Sequence, residues 1–369
     1  MTTLRDKFRG CIAGSWVGSA MGAPVEGWSR ERIRETYGFL DKLLPYKHYD
    51  VDWMRPAGTT EDGIERQKLI ATAIIEKQDR ILAHELVAVW LRDLDLDKMA
   101  YKQEPFDRSL LEMARAGVPP VELGRLWPFP NVVSMARASH PLGLINAGDP
   151  RGAADDTFEV GKVYAQETAF ALRWAALYNA AIAEACKPDA TVESVLDTAR
   201  RFAQYRAEAG SLYARYDTIE REINRALELA AKHTDPMAMR DAFYEFYSGG
   251  RYFNYGASQA NEIVSKGLAI FALTRGDPKE AILVAVNFGR DTDCLAAVAG
   301  GLAGALMGMQ AIPEEWIQQV NEATLQDAYT NNRRTIEETA DGLFAAYLAR
   351  RHRLEAYLCS MDVSGYLEE

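Results

Sequence analysis

The segment Asn287-Phe288-Gly289-Arg290-Asp291-Thr292-Asp293-Cys294-Leu295 sets two carboxylates one residue apart, directly ahead of a small-residue run, Ala296 to Met309. A second acidic cluster lies far upstream in Gly58-Thr59-Thr60-Glu61-Asp62-Gly63, again just before a helical pattern, Ile64 to Lys77. Charges are seldom buried without a partner, and a divalent cation is a common remedy. Two oxygen-rich helix starts therefore suggest one metal site closed by the fold. Oxygen donors select hard cations, so Mg²⁺ or Mn²⁺ is expected before zinc or copper. Four carboxylates balance two divalent ions, and such a pair can hold substrate oxygens and activate water. Helix capping is the competing explanation, since Asp and Thr at an N-cap stabilise a helix by about 1 kcal/mol. The conjunction of two clusters with glycine-rich helices favours ligation.

The elements that must position these groups read as helices. Apolar residues recur at i, i+3 and i+4 through Glu65 to Ile75, and similar patterns span 84–94, 168–185, 192–206, 217–232, 258–273, 278–286 and 332–358. Alternating β-branched runs bounded by turn signals are absent, so the fold class is all-α. Gly10, Gly14, Gly18 and Gly22 recur every four residues, as do Gly300, Gly304 and Gly308. That spacing lines one helix face with glycine, where a second backbone can approach closely. Each costs a helix about 1 kcal/mol relative to alanine, which implies a gain from packing. The first helix and the Asp291/Asp293 helix are thus expected deep in the core. No linker or repeat interrupts the chain, and residues 1–369 read as a single large multi-helical domain.

Composition narrows the function. A net charge of −11 without a block of Lys or Arg argues against a nucleic-acid surface. Cys11, Cys186, Cys294 and Cys359 show no paired spacing, which fits reduced thiols and a cytoplasmic protein. The uncharged run Gly10 to Val25 is Gly-rich, contains Trp16 and follows a basic stretch broken by Asp6, unlike an export signal. Cys294 to Ile312 nearly reaches membrane-span length, but its Ala and Gly content reads as a buried helix, and no membrane partner is expected.

Three segments together resemble the ADP-ribosylglycohydrolases, a family that includes the dinitrogenase-reductase-activating enzyme and the ADP-ribosyl-arginine and ADP-ribosyl-serine hydrolases. Gly10 to Glu26 is similar to the family's opening Gly-x-x-x-Gly-Asp-Ala-x-Gly-x-Pro-x-Glu segment. Thr60-Glu61-Asp62-Gly63 is similar to its Thr-Asp-Asp-Thr metal motif, and Asn287 to Gly301 to its Asn-x-Gly-Gly-Asp-Thr-Asp-Thr-x-Ala-x-x-Ala-Gly motif. The resemblance implies an all-α domain with a binuclear Mg²⁺ centre, sometimes Mn²⁺, that hydrolyses a bond at ribose C1. It implies metal ligation by Thr60, Glu61, Asp62, Asp291 and Asp293, with Glu26 near the reacting bond; proton transfer is then expected from a carboxylate, Glu26 first and Glu61 second. The departures are Glu61 for Asp, Gly63 for Thr, Ser19 for Asp, Arg290 for Gly, and Cys294 for a Thr that often ligates the second metal.

Substrate contacts are expected from Ser139, His140, Gly143 and Asn146, which sit mid-chain where the family lines its pocket, and from Arg290, a cation for a phosphate or carboxylate. Tyr255, in Tyr252-Phe253-Asn254-Tyr255, offers a ring to stack on a base. Asp155-Asp156 read as caps of a helix near Thr157. The substrate is expected to be a ribose-containing small molecule or an ADP-ribosylated protein. Two other functions are compatible with parts of the chain. J-type crystallins resemble the same family, which makes a non-enzymatic descendant conceivable. Ala281 to Val286 followed by Asp291-x-Asp293 can be read as the strand and nucleophile of a haloacid-dehalogenase-like phosphatase, but no downstream Lys or paired Asp motif follows and the surrounding chain lacks βαβ alternation.

Overall fold

The computed structural model describes residues 2–47, 51–127, 129, 131–166, 169–206, 219–247 and 258–361. Among them the secondary structure is helical, and extended pairing is limited to isolated bridges between Tyr46 and Arg55 and between Val132 and Gln259. The helices share one contiguous hydrophobic core. The segment Pro278–Val286 is a helix capped by Asp277, which removes the strand that the phosphatase reading needs. No described helix is long and apolar enough to cross a membrane.

Two helices form the centre. The first, Leu4–Gly22, starts at Thr3, whose hydroxyl accepts from the Asp6 amide, and is buried almost throughout. The other, Thr292–Met307, starts at Asp291 and is buried from Thr292 to Leu306. They run antiparallel at glycine-limited distance. A Cβ at Gly14 would lie 2.1 Å from the Gly300 carbonyl oxygen, and one at Gly18 would lie 2.3 Å from that of Ala296. Only hydrogen fits between these backbones, which explains the four-residue glycine spacing. Pro278–Val286 packs on Thr292–Met307, and Ile336–Ser360 lies across the first helix.

The Asp62–Lys77 helix carries the other acidic corner, and residues 62–74 of it are buried. It is fixed to the first helix through Gln67, whose side-chain oxygen accepts from the Trp16 indole at 2.8 Å while its amide donates to Ser15 at 3.0 Å. Helix ends differ from the periodicity by a few residues. The largest difference concerns Asp155 and Asp156: their helix runs Pro150–Gly161 with Asp149 as its cap, so both lie inside it. Asp156 pairs with Arg80 and Asn146, and Asp155 with Tyr205 and Arg206.

Candidate functional site

The antiparallel register brings the end of the first helix to the start of Thr292–Met307. The Thr292 hydroxyl donates to the Gly22 carbonyl at 2.8 Å, and the Gly27 amide donates to the Arg290 carbonyl at 2.7 Å. The Arg290 amide returns a bond to the Trp28 carbonyl at 2.7 Å. Glu26 is thereby held at the N-terminus of the Asp291 corner. Asn287 anchors the preceding turn by donating to and accepting from the Leu40 backbone at 2.8 and 2.9 Å. Gly289 and Arg290 both take positive φ, and a Cβ at Gly289 would lie 2.7 Å from the Arg30 nitrogen.

The other corner joins through Ser19, whose hydroxyl accepts from the Glu61 amide at 3.2 Å. The fold thus gathers Glu26, Glu61, Asp62, Asp291 and Asp293, five carboxylates from three segments. Their mutual influence shows at Glu26, which is only partly covered. Desolvation first, then Asp291, Glu61 and Asp62, push its carboxyl well above the ordinary range, against the opposing field of Arg137. Asp293 is pushed up by burial and then by Glu26 and Asp291.

The carboxylates are satisfied unequally. Glu61 is the N-cap residue of its helix but makes no side-chain capping bond. Its Oε1 instead accepts from the Tyr46 hydroxyl and the Arg55 guanidinium, both buried. Asp62 Oδ2 is paired with Arg137 and lies 2.8 Å from Arg66. Thr60 is buried, and its carbonyl accepts from Lys102. At the second corner the capping explanation holds for one atom, Asp291 Oδ1, which accepts from the Cys294 amide at 3.4 Å. Asp291 Oδ2, Asp293 Oδ1 and Glu61 Oε2 are buried without a hydrogen-bond partner.

Unpartnered buried carboxylate oxygens are costly, and a hard cation satisfies them. The ligand atoms of Asp291, Asp293 and Cys294 lie within 4.8 Å of one another. The donor set at Asp291 and Asp293 therefore fits a hard divalent ion. Cys294 does not add a suitable donor: its Sγ accepts from Arg137 at 3.0 Å and faces Asp293 Oδ2 at 3.7 Å.

The expected substrate-contacting residues do not converge on this corner. Ser139, His140 and Asn146 are fully buried, with their polar groups taken by protein partners. The Ser139 hydroxyl bonds the Met135 carbonyl and accepts from Asn179; Asn146 bonds the Leu142 carbonyl and Asp156 and accepts from Arg350. A Cβ at Gly143 would lie 2.7 Å from Ile182, which marks close helix packing, not a pocket wall. The physical reason is that Pro141 and Gly143 belong to a short buried helix, His140–Ile145, packed against Ile182. Arg290 turns aside to pair with Glu262 at 2.7 and 3.0 Å. Tyr255 lies outside the described residues. Arg55, Arg66, Arg137 and Tyr46 are the site residues that motif reading missed. Their signal was indirect, because two buried acidic pairs require cations from somewhere.

The chain is similar to known proteins over most of its length. An uncharacterized protein of Archaeoglobus fulgidus is 25% identical over 354 residues, covering 94% of this chain and 98% of its own length. YegU of Escherichia coli, also uncharacterized, is 26% identical over 320 residues, covering 83% of this chain and 89% of its own length. A segment of 41 residues, 11% of each chain, is 51% identical to the ADP-ribosylarginine hydrolase Tri1 of Pseudomonas putida. A solved structure described as an ADP-ribosylglycohydrolase-related protein complex superposes with a TM-score of 0.64 at 20% identity, covering 95% of this chain and 99% of that one. The profile of the ADP-ribosylglycohydrolases matches residues 1–353. With that match over nearly its whole length, the chain belongs to the ADP-ribosylglycohydrolase family.

Proposed function

We propose that this protein is a metal-dependent hydrolase that cleaves an N- or O-glycosidic bond at ribose C1 of an ADP-ribosylated or ribosylated substrate. One observation carries the reading: Asp291 Oδ2 and Asp293 Oδ1 are buried without partners, at a corner to which the fold also brings Glu26. Mg²⁺ or Mn²⁺ suits these two oxygens, since Mg²⁺ is commonly held by one or two carboxylates and keeps other positions for water and substrate. Such an ion, when bound, grips substrate oxygens and lowers the pKa of water.

The chain's own groups supply the rest. Glu26 sits at the partly open rim of the cluster and moves the proton, a role typically worth about 10²–10⁴-fold in rate. Glu61 is the weaker candidate for that task, because Tyr46 and Arg55 already occupy its Oε1. Ser19 and Arg55 are positioning residues that hold the Glu61 corner in place. A ribose cis-diol is the expected handle, since two adjacent hydroxyls chelate a hard ion better than a deoxyribose does. The segment shared with an ADP-ribosylarginine hydrolase supports ADP-ribosylated substrates. The altered residues Ser19, Gly63 and Cys294 favour a small ribosylated molecule slightly over a modified side chain. Free thiols at Cys11, Cys186, Cys294 and Cys359 fit a cytoplasmic location.

Purified protein offered both substrate classes in Mg²⁺ buffer, with freed sugar followed by mass spectrometry, tests the reading. Release that stops on chelation is expected. Release unaffected by full chelation, or none from either class, overturns it. A non-enzymatic descendant is the second reading, favoured by the arginine pairing of Glu61 and Asp62. Calorimetry that detects no divalent-ion binding would select it.

A further inference from the structure

The family resemblance leads one to expect two ions, yet the side chains between the corners are arranged for something else. Arg137 reaches from Ser134–Ala138 into the gap and joins both sides. One Nη pairs with Asp62 Oδ2, the other donates to Cys294 Sγ at 3.0 Å, and Cys294 faces Asp293 at 3.7 Å. A continuous polar chain, Asp62–Arg137–Cys294–Asp293, thus spans the space between the corners. Arg137 is itself buried, so its charge is committed there.

Two departures from the family motifs flank this side chain. Gly63 stands where Thr-Asp-Asp-Thr ends in Thr, and a Cβ at that position would lie 2.8 Å from Arg137 Cδ and 3.2 Å from its Nε. A threonine would push the guanidinium out of the gap. Cys294 stands where a Thr often ligates the second metal, and its sulfur receives the guanidinium instead. Arg66 supports the arrangement, lying 2.8 Å from Asp62 and donating to Asp107 at 2.7 and 2.9 Å. A second divalent ion would need Asp62 and residue 294 as ligands and would meet a fixed positive charge within a few ångströms. At that range like charges repel strongly in a poorly solvated site.

We infer that Arg137 is a tethered cation standing in for a second divalent ion, so that the centre takes one ion, at Asp291 and Asp293. Gly63 gives the side chain room, and Cys294 and Asp62 receive it. The inference rests on the metal-dependent reading above and sets the number of ions within it. The substrate's oxygens are consequently left to a single ion, while the guanidinium neutralises Asp62 between the corners.

Chelator-stripped protein equilibrated with Mn²⁺ tests this, with bound metal measured by mass spectrometry and electronic coupling by electron paramagnetic resonance. The wild type should hold one Mn²⁺ per chain with an uncoupled spectrum. The triple variant G63T/R137Q/C294T should take up two and show a spin-coupled signal. If that variant does not fold, Arg137→Gln alone decides: a second binding event supports the inference, and its absence overturns it. Two coupled ions in the wild type overturn the role of Arg137 while leaving metal dependence intact. A folded triple variant that still holds one ion also overturns it. No Mn²⁺ in any of these proteins instead removes the metal-dependent reading itself, and the inference with it.

Discussion

The Thr292 hydroxyl donates to the carbonyl oxygen of Gly22 at 2.8 Å across 270 residues of sequence. This bond locks the end of the first helix to the start of the helix bearing Asp293, and it is possible only because glycine lets the two backbones touch. The geometry of the candidate site and the glycine spacing are therefore one property of the chain.

Gly14→Ala should expose that dependence. The new Cβ would lie 2.1 Å from the Gly300 carbonyl oxygen, a backbone atom that cannot rotate away. Overpacking of this kind typically costs about 1–3 kcal/mol, and a backbone collision belongs at or above the top of that range. The urea midpoint should fall at unchanged m-value. Ion affinity should fall too, because Glu26 and Asp293 no longer meet in register. An unaltered midpoint would mean that the helices have slack which the structure does not show.

The buried pair of Arg55 and Glu61 yields a second expectation. Arg55→Met strands the Glu61 carboxylate, whose Oε2 already lacks a partner, and breaking such a pair commonly costs about 3–5 kcal/mol. Glu61→Gln should cost less, since the amide oxygen still accepts from Tyr46 and Arg55 keeps the Tyr101 carbonyl. Denaturation in chelator should rank Arg55→Met as the less stable variant. The reverse order would deny that Arg55 neutralises this corner.

Asp293→Asn separates ligation from folding. In the metal-free protein Asp293 Oδ1 has no partner, and Glu26 and Asp291 repel the carboxylate. Removing that charge should leave the melting temperature in chelator unchanged or higher. Ion-induced stabilisation, about 2.7 kcal/mol at a ligand concentration one hundred times the dissociation constant, should vanish, and turnover with it. Loss of helical signal in chelator would assign Asp293 a structural role.

Much of this was legible in sequence because it rests on spacing. Glycine every four residues announces two helices in backbone contact, and Asp291-x-Asp293 after Gly289 announces a corner. The arginines were not legible. Arg55, Arg66 and Arg137 lie in segments without a motif, and only the fold shows that they turn inward. The stretch Ser139 to Asn146 misled for a related reason: its pocket role was taken from the family resemblance, whereas its proline serves a helix start and its glycine a tight contact. Local chemistry cannot choose between those uses until the packing partner, here Ile182, is known.

His140 converts that buried stretch into a pH prediction. The Trp16 indole can only donate, so Gln67 must present its oxygen to Trp16 and its amide to His140 Nδ1 at 3.0 Å. His140 Nδ1 is then the acceptor and Nε2 carries the proton, facing the Tyr178 oxygen at 2.8 Å and the Ala297 carbonyl at 3.3 Å. Tyr178 passes its own hydroxyl proton to the Val298 carbonyl at 2.8 Å. The network is complete with a neutral ring, and burial pushes the imidazole down from 6.5 to about 4. Between those values the unfolded chain binds a proton that the folded chain refuses. The associated stability, up to about 3 kcal/mol, is thus present above pH 6.5 and is lost as pH falls towards 4. His140→Gln should be less stable at pH 7 because the network is broken, yet it should lose less between pH 6.5 and 4 than the wild type. The difference between the two denaturation profiles is the measurement, since carboxylates titrate alike in both. Parallel profiles would show that His140 already takes up its proton in the folded protein.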